Sequence, residues 1–149
     1  MIVLNVEQGS SAWLAARVGI PTASEFDKLL TPRTRKPSAS AEKYMHQKLA
    51  EWLIGQPLDD SVSQFMQRGT ALEESAVSLY EMENDVEVEK VGFILRDDGK
   101  VGCSPDRLVG TAGLLELKAP ALVTHIAYLL TGGGPEGYAC QANGQLWLA

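Results

Sequence analysis

Cysteine is nearly absent: Cys103 and Cys140 are the only two in 149 residues. Two distant cysteines give neither a disulfide framework nor the close spacing of a metal ligand set, so the chain is expected in a reducing, cytoplasmic compartment. Cys103 reads as a small buried residue rather than a nucleophile. Histidine is as scarce, and neither His46 nor His125 has a second histidine or a cysteine at ligand spacing, so both read as structural. No apolar run approaches the roughly 18 residues of a membrane span. The opening Met-Ile-Val-Leu-Asn-Val-Glu lacks the basic start and the apolar length of a signal peptide. There is no internal repeat, low-complexity tract or domain-separating linker, which leaves one domain over residues 1–149.

What is present is globular, with 45% apolar and 21% charged residues. A net charge of −6 argues at first against a nucleic-acid partner. The distribution changes that inference. Residues 1–50 hold seven basic and four acidic side chains, whereas residues 51–100 hold four basic and twelve acidic. A phosphate-binding surface would therefore come from the first third, where Arg17, Lys28, Arg33, Arg35 and Lys36 lie. The proline-bounded loop 31–39, with Arg33, Arg35 and Lys36, is a solvated connection or a contact for a nucleic-acid backbone.

Ser10 or Ser11 caps a short helix carrying Trp13, Leu14 and Arg17 that stops at Gly19. Thr22-Ala-Ser-Glu25 fits a capping box ahead of Phe26, Leu29 and Leu30. Such a helix start, with Ser24 in its first turn and Arg17 nearby, is also an anion site in waiting. A helix is expected from about Ser40 to Ile54, with Tyr44, Leu49 and Leu53 inward and Gly55 as its stop. A longer one spans about Ser61 to Glu83, with Phe65, Met66, Leu72, Ala76, Leu79 and Tyr80 at helical spacing and Gly69 as an interruption. Glu87 to Arg96 reads as one strand, with Asp97-Asp98-Gly99 as a hairpin turn. Helices follow over 122–130 and 136–149, separated by Gly132-Gly133-Gly134-Pro135. In the last of these Gln141 and Gln145 share a face, Trp147 is expected in the core, and Gln141 is expected to face the hairpin carboxylates.

The stretch from Val101 to Pro120 organises the rest. A strand reaching Val109, turn chemistry over 110–113 and a return over Leu114 to Lys118 read as a hairpin. Glu116 and Lys118 share one face, with Leu115 and Leu117 on the other. Closure at 110–113 brings Asp106 close to Glu116, and two adjacent carboxylates repel unless a proton or a cation lies between them. Mg²⁺ suits such a site, since it is held by one or two carboxylates plus substrate phosphate. On the hairpin alone, a solvated Glu116–Lys118 ion pair accounts for the pattern equally well.

Five ordered motifs carry a family resemblance. They are Trp13-x-x-x-Arg17-x-Gly19-x-x-Thr22-Ala-Ser24, Gly69-x-x-x-Glu73, Ser104-Pro105-Asp106, Glu116-Leu117-Lys118-x-Pro120 and Tyr138-x-x-Gln141. Together, from Trp13 to Trp147, they resemble the YqaJ-type viral recombinase, or lambda exonuclease, family within the PD-(D/E)xK nucleases. The resemblance implies an α/β fold with a restriction-endonuclease-like core, a central mixed β-sheet flanked by α-helices. It implies a phage-type alkaline exonuclease that uses Mg²⁺, with Mn²⁺ as a substitute, for 5′→3′ hydrolysis of one strand of linear duplex DNA during recombination. By position, Asp106, Glu116 and the Leu117 carbonyl would ligate the metal, and Glu73 would approach a second metal or its water. Lys118 would activate the attacking water and Gln141 would help to place it. Arg17, Ser24 and Ser104 would hold a 5′-phosphate, with Trp13 open to stacking on DNA or to core packing. A single-strand annealing protein and a homotrimer are implied partners. Family members continue past the Gln-Leu-Trp helix, so the C-terminal part of the family fold is expected to be missing here. The alternatives are a restriction-like or repair endonuclease of the same fold and a non-catalytic DNA-binding module.

Overall fold

A computed structural model describes residues 1–58, 64–132 and 136–149, with residues 64–71 described by their backbone alone. The expected helix start at Ser61, the packing of Phe65 and Met66 and the break at Gly133–Pro135 lie outside the described residues.

Strand β1 (Ile2–Leu4) precedes helix α1 (Ser11–Ala16), which Ser10 caps by accepting from the Trp13 amide at 3.2 Å. Gly19 then turns the chain at φ +69°, and a Cβ there would lie 2.8 Å from that of Trp52. Both the left-handed backbone and the close approach require glycine. The next turn is a 3-10 helix, Ala23–Lys28, and the expected capping box is not formed. Thr22 makes no cap bond, because its hydroxyl lies against Ser24 and Arg17, while Glu25 pairs with Lys28 and Lys48.

Helix α2 (Ala41–Ile54) ends as expected at Gly55, whose left-handed backbone donates to the Glu51 carbonyl at 2.8 Å. Its inner face agrees with expectation at Tyr44 and departs from it at Leu49 and Leu53. Tyr44, Lys48 and Glu51, spaced i, i+4, i+7, are buried, and Leu49 and Leu53 are exposed. A polar network outcompetes apolar periodicity here: Glu51 accepts from the Gly19 amide and from Lys48, and Tyr44 accepts from the Thr22 amide.

After α3 (Gln64–Asn84), the expected single strand divides into β2 (Val88–Lys90) and β3 (Phe93–Leu95). The division falls at Gly92, where a Cβ would collide with the Val6 and Leu4 carbonyl oxygens. The Arg96–Val101 turn leads into β4 (Gly102–Cys103), and β5 (Arg107–Val109) pairs with β6 (Gly113–Leu115) as a hairpin shorter than expected: the return strand stops at Leu115, so Glu116 to Lys118 lie just beyond the ladder rather than in it. The described strands form two three-stranded antiparallel sheets, β1-β3-β4 and β2-β5-β6, with one parallel bridge between Thr22 and Gly102. The α/β arrangement holds, with its sheet split in two where the chain passes from β2 to β3 and from β4 to β5. The Gln8 amide ties these two crossings together, donating to the Val91 carbonyl at 2.8 Å and the Pro105 carbonyl at 3.0 Å.

Helices α4 (Leu122–Thr131) and α5 (Ala139–Leu148) complete the fold. Leu148 joins Ala23, Val91, Ile94 and Cys103 in the core. Trp147 does not: it is 57% exposed, with the Arg96 guanidinium 4.8 Å from its ring. The inward face of α5 is Gln141, Gly144, Gln145 and Leu148, and Trp147 lies about 100° off it.

Candidate active site

The crossing from β4 to β5 is Ser104-Pro105-Asp106, and buried Pro105 fixes where Asp106 leaves it. Arg107 pairs with Leu115 in the β5–β6 ladder, so Asp106 and Glu116 follow at the open end of the same hairpin. Asp106 accepts from the Leu117 amide at 2.5 Å. Burial pushes the Asp106 carboxyl up to about 6; the Leu117 N–H opposes this, and the charges of Glu116 and Glu73 add to it. Asp106 is therefore a carboxyl disfavoured as an anion first by burial and then by its acidic neighbours.

Glu116 is gripped from two sides. Its Oε1 accepts from Lys118 Nζ at 2.6 Å and from Gln141 Nε2 at 2.5 Å, and its Oε2 accepts from Gln145 Nε2 at 2.6 Å. Gln141 thus faces the carboxylates, as expected from its motif. Lys118 also lies 4.9 Å from the Tyr138 ring. Glu73, placed by its motif near the metal, forms an ion pair with Arg107 at 2.5 Å. Arg107 is buried and also donates to Glu74 at 3.1 Å and to the Asp106 carbonyl at 2.6 Å. Neither Arg107 nor Gln145 was assigned a role by motif. The i, i+4 spacing of the two glutamines was the one available signal for Gln145. Burial, with the Glu116 charge adding, pushes the Cys103 thiol up to about 12, which leaves no thiolate for nucleophilic work.

A second cluster adjoins the first through Ser104. Trp13 Nε1 donates to Ser104 Oγ at 2.8 Å, and the Arg17 guanidinium lies 4.0 Å above the Trp13 ring. Arg17 also reaches Thr22 Oγ1 at 3.5 Å, and that hydroxyl lies 3.2 Å from Ser24 Oγ. Burial lowers the Arg17 pKa, with the charge of Glu25 opposing it first. Arg17, Ser24 and Ser104 are thereby gathered around Trp13 and Thr22. Arg33, Arg35 and Lys36 stand apart on an exposed loop that closes through a Thr31–Lys36 backbone bond at 2.8 Å.

Among the described residues, no three His, Cys, Asp or Glu side chains converge as a metal cage. Two repelling carboxylates do suit a hard divalent cation that keeps waters and takes further oxygens from phosphate. No described helix is long and apolar enough to cross a membrane.

Paired carboxylates and a lysine at the end of a hairpin, in this α/β frame, define the restriction-endonuclease-like class of fold. The family model of the YqaJ-like viral recombinase domain matches residues 12–149, and the chain belongs to that family. Among solved structures, an alkaline exonuclease (LHK-Exo) from Laribacter hongkongensis is similar at 35% identity and a TM-score of 0.75, over 89% of this chain and 64% of that one. The structure of LHK-Exo in complex with dAMP is similar at 35% identity and a TM-score of 0.78, over 93% and 68%. The chain thus spans about two thirds of that protein's length. No curated protein matches the sequence.

Proposed function

We propose that this chain carries the catalytic centre of a phage-type alkaline exonuclease, which removes nucleotides 5′→3′ from one strand of linear duplex DNA with Mg²⁺ or Mn²⁺. The observation that supports it most is the Asp106–Glu116 pair beside Lys118, in a chain of this family and 35% identical to an alkaline exonuclease. Asp106, Glu116 and the Leu117 carbonyl would hold the cation. Once bound, it would supply Lewis acidity toward the scissile phosphate and lower the pKa of a bound water.

The remaining roles belong to side chains. The Lys118 ammonium, bonded to Glu116 Oε1 at 2.6 Å, would orient a water and stabilise charge growing on the phosphate. Gln141, bonded to Glu116, holds that carboxylate and offers its carbonyl to the same water. Glu73, paired with Arg107, contributes negative charge to the site and becomes available for a second cation only if that pair opens. Arg17, Ser24 and Ser104 would receive the 5′-terminal phosphate, since Arg17 brings a full charge in a half-buried setting and both hydroxyls can donate. Trp13 holds Ser104 and carries Arg17, and its placement favours positioning over stacking on bases. Arg33, Arg35 and Lys36 would meet the duplex backbone farther out. The working assembly in this reading is a homotrimer that supplies single strands to an annealing protein in the cytoplasm.

The test is 5′-phosphorylated linear duplex with Mg²⁺, beside circular duplex and excess EDTA. Linear DNA should be degraded and circular DNA spared. Asp106→Ala and Glu116→Ala should abolish cleavage without unfolding the chain, and Arg17→Ala should erase the preference for phosphorylated ends. Rapid linearisation of circles would indicate an endonuclease. Binding without cleavage would indicate a DNA-binding module.

A further inference from the structure

Resting on the nuclease reading above, we propose that Gln145 is a positioning residue that fixes the Glu116 carboxylate for the cation. Its side chain is buried at 3% exposure and its amide spends a donor on Glu116 Oε2 at 2.6 Å. A carboxylate offers about four lone-pair sites. Oε1 already accepts two donors, from Lys118 and Gln141, while Oε2 accepts one, from Gln145. The oxygen with a lone pair to spare is therefore the one Gln145 holds. Rotation of the carboxylate about its terminal bond would break that bond, so Gln145 sets where the free lone pair points.

The placement of Gln145 is itself rigid. One residue earlier, Gly144 seats α5 on the 3-10 helix Ala23–Lys28, and a Cβ there would lie 2.5 Å from Phe26 Cδ2 and 3.2 Å from the Ala23 Cβ. Three residues later, Leu148 is anchored in the core at 5% exposure. The Gln145 backbone is held between these two contacts, so its amide reaches Glu116 from a fixed base. Hydrogen-bonded partners that orient a metal-binding carboxylate affect affinity by about 10- to 100-fold.

The experiment is Mn²⁺ titration of the whole chain, read by electron paramagnetic resonance, with melting temperature recorded for each variant. Gln145→Met keeps the volume and removes the donor. It should weaken Mn²⁺ binding about 10- to 100-fold while the melting temperature stays within a few degrees. The double variant Gln145→Met/Glu116→Gln should bind no more weakly than Glu116→Gln alone, because Gln145 acts through Glu116. If Gln145→Met does not fold, Gln145→Asn carries the test, since it retracts the amide by one methylene. Wild-type affinity in the folded variant, or additive losses in the double, would overturn the role of Gln145. A wild-type chain that binds no Mn²⁺ would overturn the nuclease reading itself, and with it this role.

Discussion

Removing a charge from the acidic pair should make the metal-free protein more stable while destroying its function. Asp106→Asn keeps an oxygen to accept from the Leu117 amide and keeps the volume, but it deletes a carboxylate that burial and the Glu116 and Glu73 charges disfavour. The Asp106 carboxyl moves from 3.8 to about 6 on folding. At about 1.4 kcal/mol per unit, the ceiling on its cost at neutral pH is about 3 kcal/mol. Asp106 is only half-buried and water screens it, so about 1–2 kcal/mol should survive. For a chain of this length that is about 3–6 °C in melting temperature. The assay is thermal and urea unfolding in EDTA at pH 7.5. The pH dependence has a definite sign. An acid whose folded value lies above its unfolded value costs stability above the folded value, so the wild type gains stability as pH falls through about 6 and the gap to Asp106→Asn closes near 3.8. Added Mg²⁺ should raise the wild-type melting temperature and leave the variant unchanged. A variant no more stable than wild type in EDTA would refute the account of Asp106 as a carboxylate disfavoured by burial and by its acidic neighbours.

Lys118→Ala should retain Mn²⁺ binding yet lose about 10²- to 10³-fold in cleavage rate, since it removes charge stabilisation rather than a ligand; an equal loss of binding would make Lys118 part of the cation site. Glu73→Gln leaves the buried Arg107 guanidinium with Glu74 and the Asp106 carbonyl, and should cost about 2 kcal/mol in urea unfolding. The same change on an Arg107→Met background should cost almost nothing, and additive costs would assign Glu73 to another partner. Trp13→Phe keeps a ring beneath Arg17 but removes the donor to Ser104, so it should reduce the preference for 5′-phosphorylated ends without abolishing cleavage in competition assays.

The hairpin was readable because strand alternation and turn chemistry are local. Asp106 and Glu116 meet once Gly110 to Gly113 reverses the chain, whatever the rest of the molecule does. The same holds for the stop of α2 at Gly55 and for the shared face of Gln141 and Gln145. What could not be read depended on partners remote in the chain. Tyr44 is buried as its spacing implies, but Lys48 and Glu51 are buried because Glu25 and Gly19 satisfy them, where apolar periodicity pointed to Leu49 and Leu53. Trp147 looked like core by residue type alone, but Gln145 and Gly144 claim the inward face of the same helix.

These departures share a physical cause. At Gly92 a Cβ would strike the backbone near β1, and the strand expected there is broken; at Gly144 a Cβ would strike Phe26, and α5 is drawn onto the 3-10 helix. The first contact creates the crossing that Gln8 ties to Pro105, one residue before Asp106. The second brings Gln145 to Glu116 and packs the same helix against the segment that carries Ser24. Regular local structure is thus given up where it allows elements distant in sequence to converge on the acidic pair. The cluster around Arg17 and the carboxylates of the hairpin are consequently built on shared supports, Ser104 on one side and α5 on the other.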